Sequence, residues 1–348
     1  MDDIFSKLLK ESGNEFSGIA DDGIDAGDVT GYINTGSYSL NALLSGSIYK
    51  GIPENRVTAF AGDPSTGKSF LVINIVREFL RENPTGFVYF FESESALSRQ
   101  MLSDRGVDVK RVGILPVATV QQFRTQAIKI LDGYMELKSA NKPHILFVLD
   151  SLGNLSTDKE IADMTDGKES RDMTRAQLFR GAFRVLTLKL GKAKVALIVT
   201  NHIFQTIGSY IPQKEMSGGQ GIAYAASTIV FLSKKKDKTD NEVTGAIITA
   251  VLKKSRLTIE NKKVETLLEY SDGLDPYYGL LQLAEKFGIF KKVSTRFELP
   301  TGEKVFESVI LKNPEKYFTK DVLDLIDEKC KDEFLYGKAS SIVSIEGE

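Results

Sequence analysis

Between Arg56 and Asn201 the chain repeats one rhythm: a short apolar run, then a longer stretch whose apolar positions recur every three or four residues. The runs are RVTAFAG, GFVYFFES, VGILPV, HILFVLD and VALIVTN, and the stretches between them cover 68–82, 95–105, 119–138 and 173–190. Strands buried on both faces read as continuous apolar runs, and amphipathic stretches between them read as crossover helices. The pattern therefore predicts βαβ units: an α/β fold with a mostly parallel central sheet and helices on both faces. Farther on, TIVFLSKKK, AIITAVLKKS and VETLLEY follow one another without long helices, which predicts antiparallel strands extending one edge. Residues 1–32 combine an amphipathic segment (Ile4, Phe5, Leu8, Leu9) with the Gly- and Asp-rich GIADDGIDAGDVTG, and read as a small helix on an arm that docks on a neighbouring subunit. A core over 33–275, a small α+β unit over 276–335 opened by PYYGLLQLAEKFGIF, and a flexible tail over 336–348 complete the expected division.

Composition narrows the class. With 42% hydrophobic and 26% charged residues the chain has the balance of a soluble globular protein, and no 18-residue apolar run suggests a membrane span. The start, Met-Asp-Asp-Ile-Phe-Ser-Lys, lacks the basic and apolar regions of a secretory signal. A single cysteine, Cys330, excludes an internal disulfide and cysteine-based zinc sites. A net charge of −2 gives no global attraction to nucleic acid. Any DNA contact must come from local basic surface, such as Lys234-Lys235-Lys236, Lys253-Lys254 with Arg256, Lys262-Lys263 or Lys291-Lys292.

The chemistry begins at GDPSTGKS. Residues Gly62, Asp63, Pro64, Ser65, Thr66, Gly67, Lys68 and Ser69 satisfy G-x-x-x-x-G-K-[ST] between an apolar strand and a helical stretch opened by Phe70. Glycines let backbone N–H groups turn inward around phosphates, Lys68 reaches the β and γ oxygens, and Ser69 offers its hydroxyl to Mg²⁺, so a nucleoside triphosphate is the expected ligand. The apolar run HILFVLDS supplies the partner acid, Asp150, which orients the water shell of the Mg²⁺. Hydrolysis also needs a group for water, and FVYFFESES ends in Glu92 and Glu94. Glu94 lies farther beyond the strand end, where ligands of open α/β sheets gather; Glu92 fits a charge at a helix N-terminus. One of only two histidines, His202, follows the apolar run VALIVTN and admits three readings: metal ligand, general base or sensor of a bound ligand.

GDPSTGKS, FFESESALS, RGVDV, FVLDSLGNL and SGGQGIAYAAS follow one another in the order found in RecA-like recombinases. The chain resembles that family over about residues 35–290, the phage UvsX type above all, through DSLGNL, RDMTRAQLFRGAFRVLT, TNHIF and GLDPYYGLL. The resemblance implies a RecA-like P-loop ATPase core that uses ATP and Mg²⁺, polymerises as a helical filament on single-stranded DNA and exchanges strands with homologous double-stranded DNA. It implies roles in recombination, recombination-dependent replication and repair, mediator and single-strand-binding proteins as partners, and a bacterial cytoplasm as the place of action. Glu94 takes the position of the family's water-activating glutamate. Two DNA loops map to 156–172, closed by Arg175, and to 203–217, closed by Gly218 and Gly219. In them Phe204, Tyr210 and Ile211 suit stacking on bases, while Arg175 and Lys214 suit phosphates. Lys254 and Arg256 match two basic residues that reach across the subunit interface to a neighbour's γ-phosphate.

The chain also departs from the family. Met101 stands where bacterial members stack adenine on a tyrosine, which leaves the choice between adenine and guanine open. The long acidic tail of some relatives has no counterpart beyond Glu346 and Glu348, and the polymerisation anchor is a choice among Ile4, Phe5 and Phe16. Two alternatives compete: a DnaB-type helicase core or regulatory ATPase of the same fold, and a non-catalytic coat for single-stranded DNA. The RDMTRA and SGGQG segments oppose the former; Glu94 and Asp150, dispensable in a coat, oppose the latter. For His202 the metal reading lacks company, since His144 is the other histidine, and a second base beside Glu94 is redundant. The sensor reading remains: Asn201 and His202 emerge at the γ-phosphate and run straight into the second DNA loop.

Overall fold

A computed structural model describes residues 2–13, 19–24, 27–138, 142–168, 174–205, 214–217, 220–239 and 242–337. In chain order the first half comprises α1 (Asp2–Glu11), β1 (Tyr32–Ile33), α2 (Tyr38–Ser45), β2 (Ile52–Pro53), β3 (Val57–Gly62), α3 (Lys68–Glu82), β4 (Phe87–Glu92), α4 (Arg99–Ser103), β5 (Val112–Pro116), α5 (Val120–Glu136) and β6 (Ile145–Asp150). There follow α6 (Asp158–Thr165), α7 (Arg175–Ala193), β7 (Ala196–Gln205), β8 (Lys214–Met216), α8 (Gln220–Ala225), β9 (Thr228–Thr239), β10 (Glu242–Ser255), β11 (Lys263–Glu269) and β12 (Gly273–Leu274). The C-terminal part holds α9 (Leu280–Lys286), β13 (Lys291–Val293), β14 (Arg296–Glu298), β15 (Lys304–Phe306), α10 (Glu307–Lys312), α11 (Pro314–Tyr317) and α12 (Lys320–Phe334).

The main sheet runs β12-β11-β10-β9-β3-β7-β6-β4-β5. From β9 to β5 neighbouring strands are parallel; β10, β11 and β12 add antiparallel strands at one edge, as the change of rhythm past α8 predicts, but TIVFLSKKK, expected among them, forms β9, which joins β3 in parallel and is antiparallel only to β10. Each central strand divides its side chains between two cores. Phe60, Leu146, Val148 and Ile198 pack on the side of α3, while Ala59, Ala61, Phe147, Leu149 and Val199 pack on the side of α5 and α7. Burial on both faces is why these strands carry no polar alternation.

Local signals explain most helix starts. Gly67 takes φ 95° immediately before α3, and Thr119 with Gln122 forms a capping box that opens α5. The stretch 95–105 yields only the short α4, because residues 94–96 turn their N–H groups onto the Glu92 carboxylate before a helix can begin. The segment expected as a first DNA loop contains α6, whose own capping box pairs Thr157 with Glu160. The ends of the second expected loop form a paired stem, with Ile203 opposite Met216 and Gln205 opposite Lys214.

The C-terminal residues do not form a detached core. Phe290, Phe297, Ile310, Ile326 and Phe334 belong to the same apolar cluster as Leu40, Leu43 and Val72. Glu333 on α12 pairs with Lys262 and with Lys286, the latter at 2.7 Å. Cys330 is fully buried there, and burial with nearby Asp327 and Glu333 pushes its thiol pKa up to about 12. At the other end α1 exposes Ile4, Phe5 and Leu8; Phe16 and the residues after 337 lie outside the described residues. Among the described residues no helix is long and apolar enough to cross a membrane.

Candidate active site

The phosphate loop is shaped by close approach. A Cβ at Gly62 would sit 2.8 Å from the Leu232 carbonyl oxygen and 2.8 Å from Thr66 Oγ1, so glycine is the residue that fits. Thr66 Oγ1 donates to the Asp63 carbonyl at 2.9 Å, and Ser65 takes φ 59° at the loop's tip. Lys68 folds back beneath the loop: Nζ donates to the carbonyl oxygens of Gly62 and Asp63, each at 3.0 Å. Burial lowers its pKa, while Asp150, Glu94 and Asp63 pull it the other way.

Parallel register delivers the acids. Glu92 on β4 lies level with Asp150 on β6, which puts Glu94, two residues on, beside Ser151. Ser151 Oγ donates to Glu94 Oε1 at 2.7 Å, and Ser93 Oγ donates to the Ser151 carbonyl at 2.8 Å. Glu92 is buried and its carboxylate accepts the N–H groups of Glu94, Ser95 and Ala96 at 3.0, 2.8 and 3.0 Å. Its strand-end position thus holds the turn from which Glu94 projects. Asp150 accepts hydrogen bonds from Thr200 Oγ1 and Ser69. Burial raises its pKa, those two hydrogen bonds lower it, and Glu94 and Glu92 raise it further. A carboxylate and two hydroxyls gathered at the end of the phosphate loop are an all-oxygen donor set, the kind a hard divalent cation takes.

His202 completes the group, with Nε2 3.5 Å from Glu94 Oε1. A single cavity of about 600 Å³ joins Lys68, Ser69, Glu94, Asp150 and His202 to an apolar end lined by Phe70, Leu97, Met101, Leu268 and Tyr270. Arg105 lines that end as well, and Lys234 stands at the wall formed by β9.

Other expected residues lie elsewhere. Asn201, expected at the phosphates, is fully buried and faces the opposite side of β7 from Thr200 and His202. Its Nδ2 donates to the Ser217 carbonyl at 2.8 Å, and its Oδ1 accepts the His202 N–H at 2.9 Å. Strand alternation separates neighbours, so the amide braces the hairpin stem instead of reaching the cavity. Arg175, expected to meet DNA phosphate, spends its guanidinium internally: Nη2 donates to the carbonyls of Gly153 and Leu155 at 3.1 and 2.7 Å. Phe204 is exposed, and Lys214 lies in β8. Tyr210, Ile211, Gly218 and Gly219 lie outside the described residues. Lys254 and Arg256, at the end of β10, do not line the cavity of their own subunit. Lys254 Nζ donates to the Ala223 carbonyl at 2.6 Å and Arg256 Nη2 to that of Tyr224 at 3.4 Å, so both cations rest on the last carbonyls of α8.

Several residues of the site escaped the sequence reading: Thr200, which bonds Asp150, and the cavity residues Arg105, Leu268 and Tyr270, while Lys234 was read only as basic surface. Thr200 was within reach, because pairing the two apolar runs places it next to Asp150. The positions of Lys234, Leu268 and Tyr270 depend on how the antiparallel edge folds over the loop, which periodicity does not encode.

Comparison with known proteins agrees with this architecture. The model of the RecA N-terminal domain matches residues 17–275. The chain is 29% identical over 294 residues to the "Recombination and repair protein" of Enterobacteria phage T4, covering 84% of this chain and 73% of that protein. It is 24% identical over 314 residues to "Protein RecA" of Mesomycoplasma hyopneumoniae strain J, covering 87% of each. With "Protein RecA" of Thermus aquaticus it shares 28% identity over 269 residues, 76% of this chain and 74% of that one. A parallel sheet with an antiparallel edge, a phosphate loop beside two strand-end acids and a family match across most of the length have one meaning: the chain belongs to the RecA family.

Proposed function

We propose that this protein is an ATP-dependent, Mg²⁺-dependent recombinase that forms helical filaments on single-stranded DNA and exchanges strands with a homologous duplex in the cytoplasm of a bacterial cell. The observation that carries the reading is the placement of Glu94, held by Ser151 and beside His202, in one cavity with Lys68, Ser69 and Asp150. The family match and the relatives in recombination and repair support it.

In this mechanism the phosphate loop and Lys68 bind and orient the triphosphate. Ser69 and Asp150 would hold Mg²⁺, which supplies charge neutralisation on the phosphate oxygens. Glu94 accepts a proton from water as its oxygen attacks the γ-phosphorus and the bond to the bridging oxygen breaks. Ser151 fixes the carboxylate's orientation. His202 donates to the γ-phosphate or the attacking water and, being on β7, passes the nucleotide state to the stem of the second loop. Phe204 with Tyr210 and Ile211 contacts bases, and Lys214 phosphate. Lys254 and Arg256 leave the α8 carbonyls to meet the γ-phosphate of the adjoining subunit, which links hydrolysis to assembly.

The test is an ATPase assay with and without single-stranded DNA, paired with electron microscopy. Stimulation by DNA together with helical filaments is the expected result. Ring hexamers would favour a helicase, and filaments without turnover a passive coat.

A further inference from the structure

The base end of the cavity is built unlike a pair of aromatic plates. Met101 supplies a thioether, and Leu268, Tyr270 and Arg105 line the same cavity. The Arg105 guanidinium lies over the Phe70 ring at 4.0 Å from its centroid, which fixes a long side chain that would otherwise be mobile. One of its N–H groups donates to the Met101 carbonyl at 3.1 Å. Among the described residues its remaining N–H groups make no hydrogen bond, although a guanidinium carries five donors in a planar fork. Directly beyond, a second cavity of about 540 Å³ shares Phe70, Arg105, Leu268 and Tyr270 as walls. It adds the acceptor side chains of Asp104, Glu269 and Asp272.

A purine entering from the phosphate loop thus meets a fixed fork of donors with carboxylates behind it. Guanine offers O6 and N7 as paired acceptors to such a fork, whereas adenine offers N7 beside the N6 amino donor, which opposes it. We propose that Arg105 is a specificity-determining residue that reads the base edge, so that this protein takes guanosine triphosphate alongside adenosine triphosphate. The inference rests on the cavity being a nucleoside triphosphate site, and not on strand exchange.

The test titrates the full-length protein with mant-GTP and with mant-ATP in Mg²⁺, without DNA, and follows fluorescence. The wild-type protein is expected to bind the two within about tenfold of each other. Arg105→Met is expected to lose mant-GTP affinity about tenfold more than mant-ATP affinity, the scale of one bidentate arginine–guanine pair. Arg105→Lys keeps the charge but not the fork, and is expected to show the same selective loss. A wild-type preference for mant-ATP beyond about a hundredfold, or equal losses of both nucleotides in both variants, would overturn the assignment. If neither nucleotide binds the wild-type protein, the triphosphate reading falls with it. Failure of strand exchange with both nucleotides bound would strike only the recombinase reading.

Discussion

Two carboxylates two residues apart, Glu92 and Glu94, are set different tasks by their surroundings. Glu94 lines the cavity, accepts the Ser151 hydroxyl and has His202 Nε2 at 3.5 Å, so Glu94→Gln should keep nucleotide binding and cut DNA-stimulated turnover by about 10²–10⁴-fold, the usual contribution of a general base. Glu92 holds three backbone N–H groups, so Glu92→Gln should instead lower stability by about 1–3 kcal/mol, seen as an earlier melting transition, because charge-assisted bonds become neutral ones. Full turnover in Glu94→Gln would remove it from the role of base. The sequence already separated this pair by distance from the strand end, because register in a parallel sheet makes strand ends comparable. Asn201 was expected at the phosphates, but adjacent strand residues face opposite ways, and here its amide donates to the Ser217 carbonyl. A cation at a loop end reads the same whether it meets phosphate or carbonyls, and Arg175 here donates to the carbonyls of Gly153 and Leu155.

At the scale of elements, β7 concentrates the coupling. Thr200 meets Asp150, His202 lies beside Glu94, and Phe204 is exposed, three alternate residues on one face of one strand. At ~3.3 Å per residue the span from Thr200 to Phe204 is about 13 Å, without a turn between them. His202→Ala should therefore bind ATP yet lose the ATP-dependent rise in single-strand affinity; an undiminished rise in a fluorescence titration would refute the coupling. The strands and long helices were legible because burial on both faces leaves unbroken apolar runs. The helical content of 156–172 and the pairing of β7 with β8 were not, since a long polar connection has no period to read. A capping box at Thr157 and Glu160 was the available clue.

At the scale of the whole molecule, Lys254 and Arg256 stand away from their own subunit's cavity, as a contact across an interface requires. Arg256→Ala should suppress DNA-stimulated turnover while leaving mant-ATP binding to the isolated subunit within about twofold, since the loss falls on a site completed only by assembly. Normal stimulated turnover would remove the contact from the mechanism. The shared apolar cluster that runs from α3 to α12 makes a second claim. The C-terminal residues should unfold with the sheet in one transition, and Phe90→Ala, about 3–5 kcal/mol in a core of this density, should lower that transition as a whole.

Cys330 lies inside that cluster, and its folded pKa of about 12 stands above the ordinary 9.0. An unfolded chain loses the thiol proton first as the solution turns alkaline, so stability should be intact below about pH 9 and decline from there toward pH 12. Denaturation midpoints across that interval check the sign. Near neutral pH the same burial gives every subunit a private clock. A thiol reagent can mark the chain only when the core has opened, so the rate of marking counts openings one molecule at a time. Comparing that rate for free subunits with that for assembled ones would measure how much an assembly steadies its members.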